Sequence, residues 1–128
     1  MNIIELIKEK DELSTYSPAT SDFVKKAAKE LKVEFSKEYV EYITTFGIAI
    51  FEGHELTGIC DGKRLDVVRN TVEQRKLNPF VPLNWYVIEC LNIDGIVIWQ
   101  DESGKIYQTF PNGATKSISK SLVEYLSM

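Results

Sequence analysis

The fourteen residues from Phe46 to Ile59, FGIAIFEGHELTGI, leave the backbone fewer courses than any other stretch of this chain. Three glycines fall within them, at positions 47, 53 and 58. Glycine serves where the backbone needs φ > 0 or must approach another group closely. A short apolar run, Ile48 to Phe51, follows Gly47 at once. A polar tip, Glu52-Gly53-His54-Glu55, leads into a return run from Leu56 to Ile59. The pattern predicts a helix that stops at Gly47, then two short strands joined by a charged, surface-facing turn.

On the N-terminal side the apolar spacing is helical. Residues 2–13 read as a helix capped by Asn2, with Glu5 three residues on and Ile3, Leu6 and Ile7 facing in. Ser14 to Ala19 reads as a linker. Behind the capping candidates Thr20, Ser21 and Asp22, the residues Phe23, Ala27 and Leu31 recur every four positions, flanked by Val24 and Ala28. Lys25, Lys26, Lys29 and Glu30 face outward, as a solvated surface. Ser36 caps a helix with Tyr39, Ile43 and Phe46 on one side. Leu65 to Asn78 reads as another helix, with Leu65, Val68, Val72 and Leu77 facing in and an Arg69–Glu73 pair outside.

From Trp85 the period becomes that of strands. Tyr86–Leu91, Ile96–Gln100 and Lys105–Phe110 are separated by turns at Asp94-Gly95 and Asp101–Gly104, which predicts a three-stranded antiparallel meander. Ile118, Leu122 and Leu126 mark a C-terminal helix with Ser117 or Ser119 as cap. The fold class is therefore α+β: a mostly antiparallel sheet with helices packed on one face, in one domain over residues 1–128. The other face of the sheet is expected to be solvated and open to a partner.

A formal charge of −4 and a pI near 5.1 argue against direct nucleic-acid binding, which draws on Lys and Arg, and suit a basic protein partner. Cys60 and Cys90 lie beside apolar runs outside any CxxC pattern and read as free thiols. The start MNIIELIKEKDEL has charges too early for a secretory signal, and no apolar run approaches the roughly 20 residues of a membrane span. A cytoplasmic protein is expected, a monomer or weak homodimer, without membrane contact.

Candidate chemistry is sparse. His54 is the single histidine, and its neighbours Glu52 and Glu55 on one turn do not converge as metal ligands do, so no metal or cofactor is expected. Asp94 and Asp101 sit at opposite ends of one strand, too far apart for shared acid–base work. No phosphate loop, dinucleotide fingerprint or nucleophile elbow is present, so an enzyme has no residue set to stand on. Trp85, Tyr86, Trp99 and Tyr107 cluster around the meander. Trp99, beside Gln100 and Asp101 at a hairpin end, is expected to be partly exposed, as interface anchors are.

The run from Pro18 to Gly47, followed by FEGHELTGI, resembles the SUKH superfamily, which includes bacterial immunity proteins and the fungal Smi/Knr cell-wall regulators. Lys29-Glu30-Leu31, Tyr39, Phe46-Gly47, Gly53 and Glu55-Leu56 occupy the family's places. Phe35-Ser36 stands where Leu-Pro is usual, and one Gly follows Phe46 where two are common. The resemblance implies an α+β fold and a binding role. In the bacterial branch that role is neutralising a cognate toxin, often a nuclease, by direct contact. The expected contact residues are Glu52, His54, Glu55, Asp61, Asp94 and Asp101, with Trp99 as apolar anchor. The alternative is a regulatory scaffold that binds an endogenous protein.

Overall fold

The structure, a computed structural model, describes residues 1–60, 63–91 and 93–128. The chain runs α1 (Ile3–Lys8), β1 (Ser14–Thr15), α2 (Ser21–Leu31), α3 (Lys37–Phe46), β2 (Ala49–Phe51), β3 (His54–Glu55), α4 (Val67–Leu77), β4 (Tyr86–Cys90), β5 (Val97–Gln100), β6 (Ile106–Thr109), β7 (Thr115–Ser119) and α5 (Leu122–Leu126). The fold is α+β, with antiparallel pairing throughout both sheets.

Each helix begins where a short polar side chain can accept from a free backbone N–H of the first turn. Asn2 accepts from Glu5 N, and its amide reaches back to the Glu5 carboxylate. Thr20, Ser36, Asp66 and Ser121 do the same for α2, α3, α4 and α5. The α5 cap is thus Ser121, not Ser117 or Ser119.

Among the described residues there are two sheets in place of one, ordered β1-β2-β3 and β4-β5-β6-β7. Thr57 joins them: its N–H donates to Ile88 O at 2.8 Å and its hydroxyl to Val87 O at 2.7 Å. The predicted first helix stops at Lys8, and Ser14–Thr15 of the expected linker pairs with Ile50 and Ala49. Ile118 lies in a fourth meander strand, β7, rather than in the C-terminal helix.

Two helices turn a different face inward than their spacing predicts. On α2 the buried residues are Val24, Ala27 and Leu31, while Phe23 is 57% exposed. On α4 they are Val67 and Thr71, while Val72 and Leu77 are exposed. Thr71 is drawn in because its hydroxyl accepts from Val87 N at 3.0 Å.

The main core gathers α1, α2, α3 and α5 against one face of the larger sheet, around Tyr39, Tyr42, Ile43, Tyr86 and Ile98. Its buried hydroxyls are bonded, as burial requires. Tyr42 Oη donates to Thr57 O and accepts from Ala49 N, and Tyr86 Oη accepts from Ser36 N and donates to Gln100 Oε1. Burial raises both phenols well above the ordinary tyrosine range.

The second face of the sheet is not left to solvent as expected. The chain between α4 and β4 folds over it, and Val81, Trp85, Val87, Val97 and Trp99 form a smaller cluster there. Trp85 stacks on Tyr107 with ring centroids 4.0 Å apart. Trp99 is 0% exposed and donates from Nε1 to Thr109 Oγ1 at 2.9 Å, so the expectation of a partly exposed anchor is corrected. Its position at a strand end misled because its cover comes from a segment distant in sequence.

Gly47 and Gly58 are required by close approach. A Cβ at Gly47 would stand 2.1 Å from Ser17 O, and one at Gly58 would stand 1.7 Å from Gly47 O. The two glycines let α3, β2 and the strand exit cross with their backbones in contact.

Candidate partner-binding site

The hairpin turns on two residues, Glu52 (φ 46°) and Gly53 (φ 83°), both left-handed. Such two-residue turns match the twist of the flanking strands. His54 and Glu55 are therefore in strand β3, not in the tip as their polar run suggested.

Each acid of the hairpin has a cation beside it. Glu52 pairs with Lys10 at 3.3 Å, and the Lys10 ammonium also lies 5.8 Å from the centre of the Phe51 ring. Glu55 takes both terminal nitrogens of Arg64, at 2.6 and 3.2 Å. That fork geometry is specific to the guanidinium, and the hydrogen bonds with Arg64 hold the Glu55 carboxyl below its ordinary range.

His54 is only partly exposed and reaches inward. Its Nδ1 lies 2.8 Å from Glu89 Oε2, and the Glu89 side chain is 2% exposed. Tyr125 Oη from α5 donates to the same oxygen at 2.5 Å. The His54 ring packs edge-on to Tyr125 at 5.8 Å and against Phe51 at 5.6 Å. The hydrogen bond with Glu89 raises the His54 pKa, against the opposing effect of burial. A buried carboxyl group is costly unless it has a polar partner, and His54 is a partner that lets Glu89 sit inside. One carboxylate thereby ties β3, β4 and α5 together. The chemistry of this group is that of a clamp.

The remaining sequence candidates are dispersed. Asp94 is exposed, with φ 53° in the β4–β5 turn, and lines a cleft of about 570 Å³ with Gln74, Leu77, Ile96 and Pro111. Asp101 stands at the other end of β5. Its Oδ1 accepts from Ser103 N, Ser103 Oγ and Lys105 N, and its Oδ2 accepts from Tyr107 Oη. Burial raises this carboxyl, but those hydrogen bonds outweigh burial and hold it below the ordinary aspartate range. Asp61 lies outside the described residues. Glu52, His54 and Glu55 thus share one hairpin, while Asp94 and Asp101 do not join them.

Three functional or stabilising partners escaped sequence reasoning: Lys10, Arg64 and Glu89. Glu89 had a signal. A single acid inside the apolar run of β4 needs a partner, and the single histidine was a candidate for it. Cys60 and Cys90 are free and half-buried, and burial pushes the Cys90 thiol up to about 11. Among the described residues no group of three or more His, Cys, Asp or Glu is placed to hold a metal ion, and no helix is long and apolar enough to cross a membrane.

The family model described as SMI1-KNR4 cell-wall, one of the SUKH group, matches residues 1–127. No individual curated protein matches the chain.

Proposed function

The chain belongs to the SUKH family described as SMI1-KNR4 cell-wall, and from that membership we propose that it is an immunity protein, which binds a cognate toxin and neutralises it by direct contact. The match over residues 1–127 carries this reading. The protein acts in the cytoplasm as a single domain without cofactor or catalysis, and its work is occlusion of the toxin's active surface. A nuclease toxin with a basic surface suits an acidic chain of formal charge −4. The hairpin supports a contact role for Glu52 and Glu55, whose carboxylates reach solvent and can exchange Lys10 and Arg64 for a partner's cations. Asp94, exposed at its turn, is a further contact.

A second reading, a regulatory scaffold for an endogenous protein, is favoured by the cell-wall description of the matching family. Co-expression with the product of the adjacent gene separates the two. An immunity protein restores growth and co-purifies with that product, with affinity that falls as salt rises. Failure to rescue against any neighbouring toxin, with stable association to a housekeeping protein, favours the scaffold.

A further inference from the structure

The charge of this chain is unevenly spread. Its formal total is −4, yet α2 and α4 together hold six basic and three acidic side chains. Lys25 and Lys29 follow one another at helical spacing along the outer side of α2, with Lys26 next to them and Lys32 at the C-cap, and all four are exposed. Among the described residues none of the four forms an ion pair, whereas Glu52 and Glu55 of the hairpin each have one. Asp22 and Glu30 of the same helix form no ion pair among the described residues either, and against these two acids the four lysines leave this part of the surface net positive, the reverse of the chain's total.

Beside Lys26 opens a cleft of about 510 Å³ between α2, α4 and residues 17–20. Its apolar walls are Pro18, Ala19, Phe23, Ala27, Ile59 and Val68. Phe23 is 57% exposed, and Val72, one turn beyond Val68, is 41% exposed. Single exposed apolar residues are ordinary. Here an exposed ring, an apolar trough and Lys26, the one lysine of that row that lines the cleft, coincide, as interaction sites do. Two carboxylates line the same cleft. Asp66 is committed to capping α4 and to Cys60 N, whereas Glu30 stands on the rim.

We propose that the cleft between α2 and α4 is a docking site for an acidic protein segment, which lays one bulky apolar side chain against Phe23 and sets its carboxylates beside Lys26 and Lys29. Lys25, further round the helix, and Lys32, at its C-cap, strengthen the long-range attraction. No residue of the β2–β3 hairpin belongs to this surface, so it is independent of the toxin reading and takes a partner of opposite charge.

The test is a peptide-display selection on the full chain. The enriched peptides are then synthesised with a fluorescein label and titrated by anisotropy. The expected peptides are rich in Asp and Glu around one aromatic or branched aliphatic residue. Their binding weakens by about tenfold or more with Phe23→Ser, and likewise with Lys26→Glu combined with Lys29→Glu. It tightens with Glu30→Gln and falls as salt rises. All these positions are exposed, and circular dichroism of each variant confirms that it folds. A selection that yields no binder, yields basic peptides, or yields peptides indifferent to these substitutions overturns the proposal. So does a concentration-dependent dimer abolished by Phe23→Ser, which would make a second copy the occupant. Co-sedimentation with phosphatidylserine vesicles that depends on Phe23 and the lysines would overturn it in favour of a membrane.

Discussion

His54 and Glu89, 35 positions apart, meet at 2.8 Å, and the carboxylate they share with Tyr125 is almost wholly withdrawn from water. The pair makes stability depend on pH in a definite sense. The His54 pKa is raised in the folded state, first by its hydrogen bond with Glu89 and further by Glu52, while burial and Lys10 oppose. The stabilisation is therefore fully present below the unfolded histidine value of about 6.5, and it is lost as pH rises through the higher folded value. Urea unfolding from about pH 5.5 to about pH 8.5 should show native stability falling across this window relative to His54→Gln. Parallel profiles for the two proteins would remove His54 from the account.

Tyr125→Phe deletes one of the two hydrogen bonds on Glu89 without opening a cavity. A destabilisation of about 1–2 kcal/mol is expected, measured by urea unfolding. The His54 titration, followed by NMR, should persist in this variant, because its partner is still present. A neutral substitution would mean that solvent serves Glu89 equally well.

Two glycines of the Phe46–Ile59 stretch, Gly58 and Gly53, separate by mechanism. Gly58→Ala drives a methyl group into the Gly47 carbonyl and should cost more than about 3 kcal/mol, or abolish folding. Gly53 has nothing within 4 Å of an added Cβ and only its φ of 83° to oppose substitution, so Gly53→Ala should cost about 1–2 kcal/mol. Thermal unfolding of both variants checks the order, and equal losses would contradict it.

Trp99 now belongs to stability and not to recognition. Trp99→Ala should cost about 3–5 kcal/mol, and the native protein's fluorescence should show a strongly blue-shifted component that Trp99→Phe removes. Emission at the wavelength of a solvated indole would contradict its burial.

Charge reversal at the hairpin separates folding from binding. Glu52→Lys breaks one exposed ion pair, worth at most about 1 kcal/mol, and should leave the unfolding transition nearly in place. Binding to a basic toxin, read by calorimetry, should weaken in that variant and in Glu55→Lys. Unfolding by either substitution would make the hairpin acids structural.

The features legible in the sequence are those fixed by neighbours within a few residues. The caps at Asn2, Thr20 and Ser36, the stop at Gly47 and the Arg69–Glu73 pair at 3.4 Å are of this kind. What was misread depends on distant chain. Strand β7 carries Thr115, Lys116 and Ser117 in the open, and its polar pattern becomes a strand only by pairing with β6. Phe23 and Leu77 fit a helical period, but the helices are oriented by Val24 and Thr71 instead. At the candidate site the acids of the hairpin were legible as charges. Their partners Lys10 and Arg64, and the buried Glu89 behind His54, were not, because nothing local joins them.

The α5 helix owes its footing to Glu38, whose two oxygens accept from Leu122 N at 2.7 Å and Val123 N at 3.0 Å. The same helix packs on α1 and anchors Glu89 through Tyr125. For a chain leaving the ribosome, this closure sets a schedule. The helices made early have no finished floor until the segment around residue 122 has cleared the exit tunnel. Chains stalled before that point should remain open to protease throughout, and chains released beyond it should become resistant in one step.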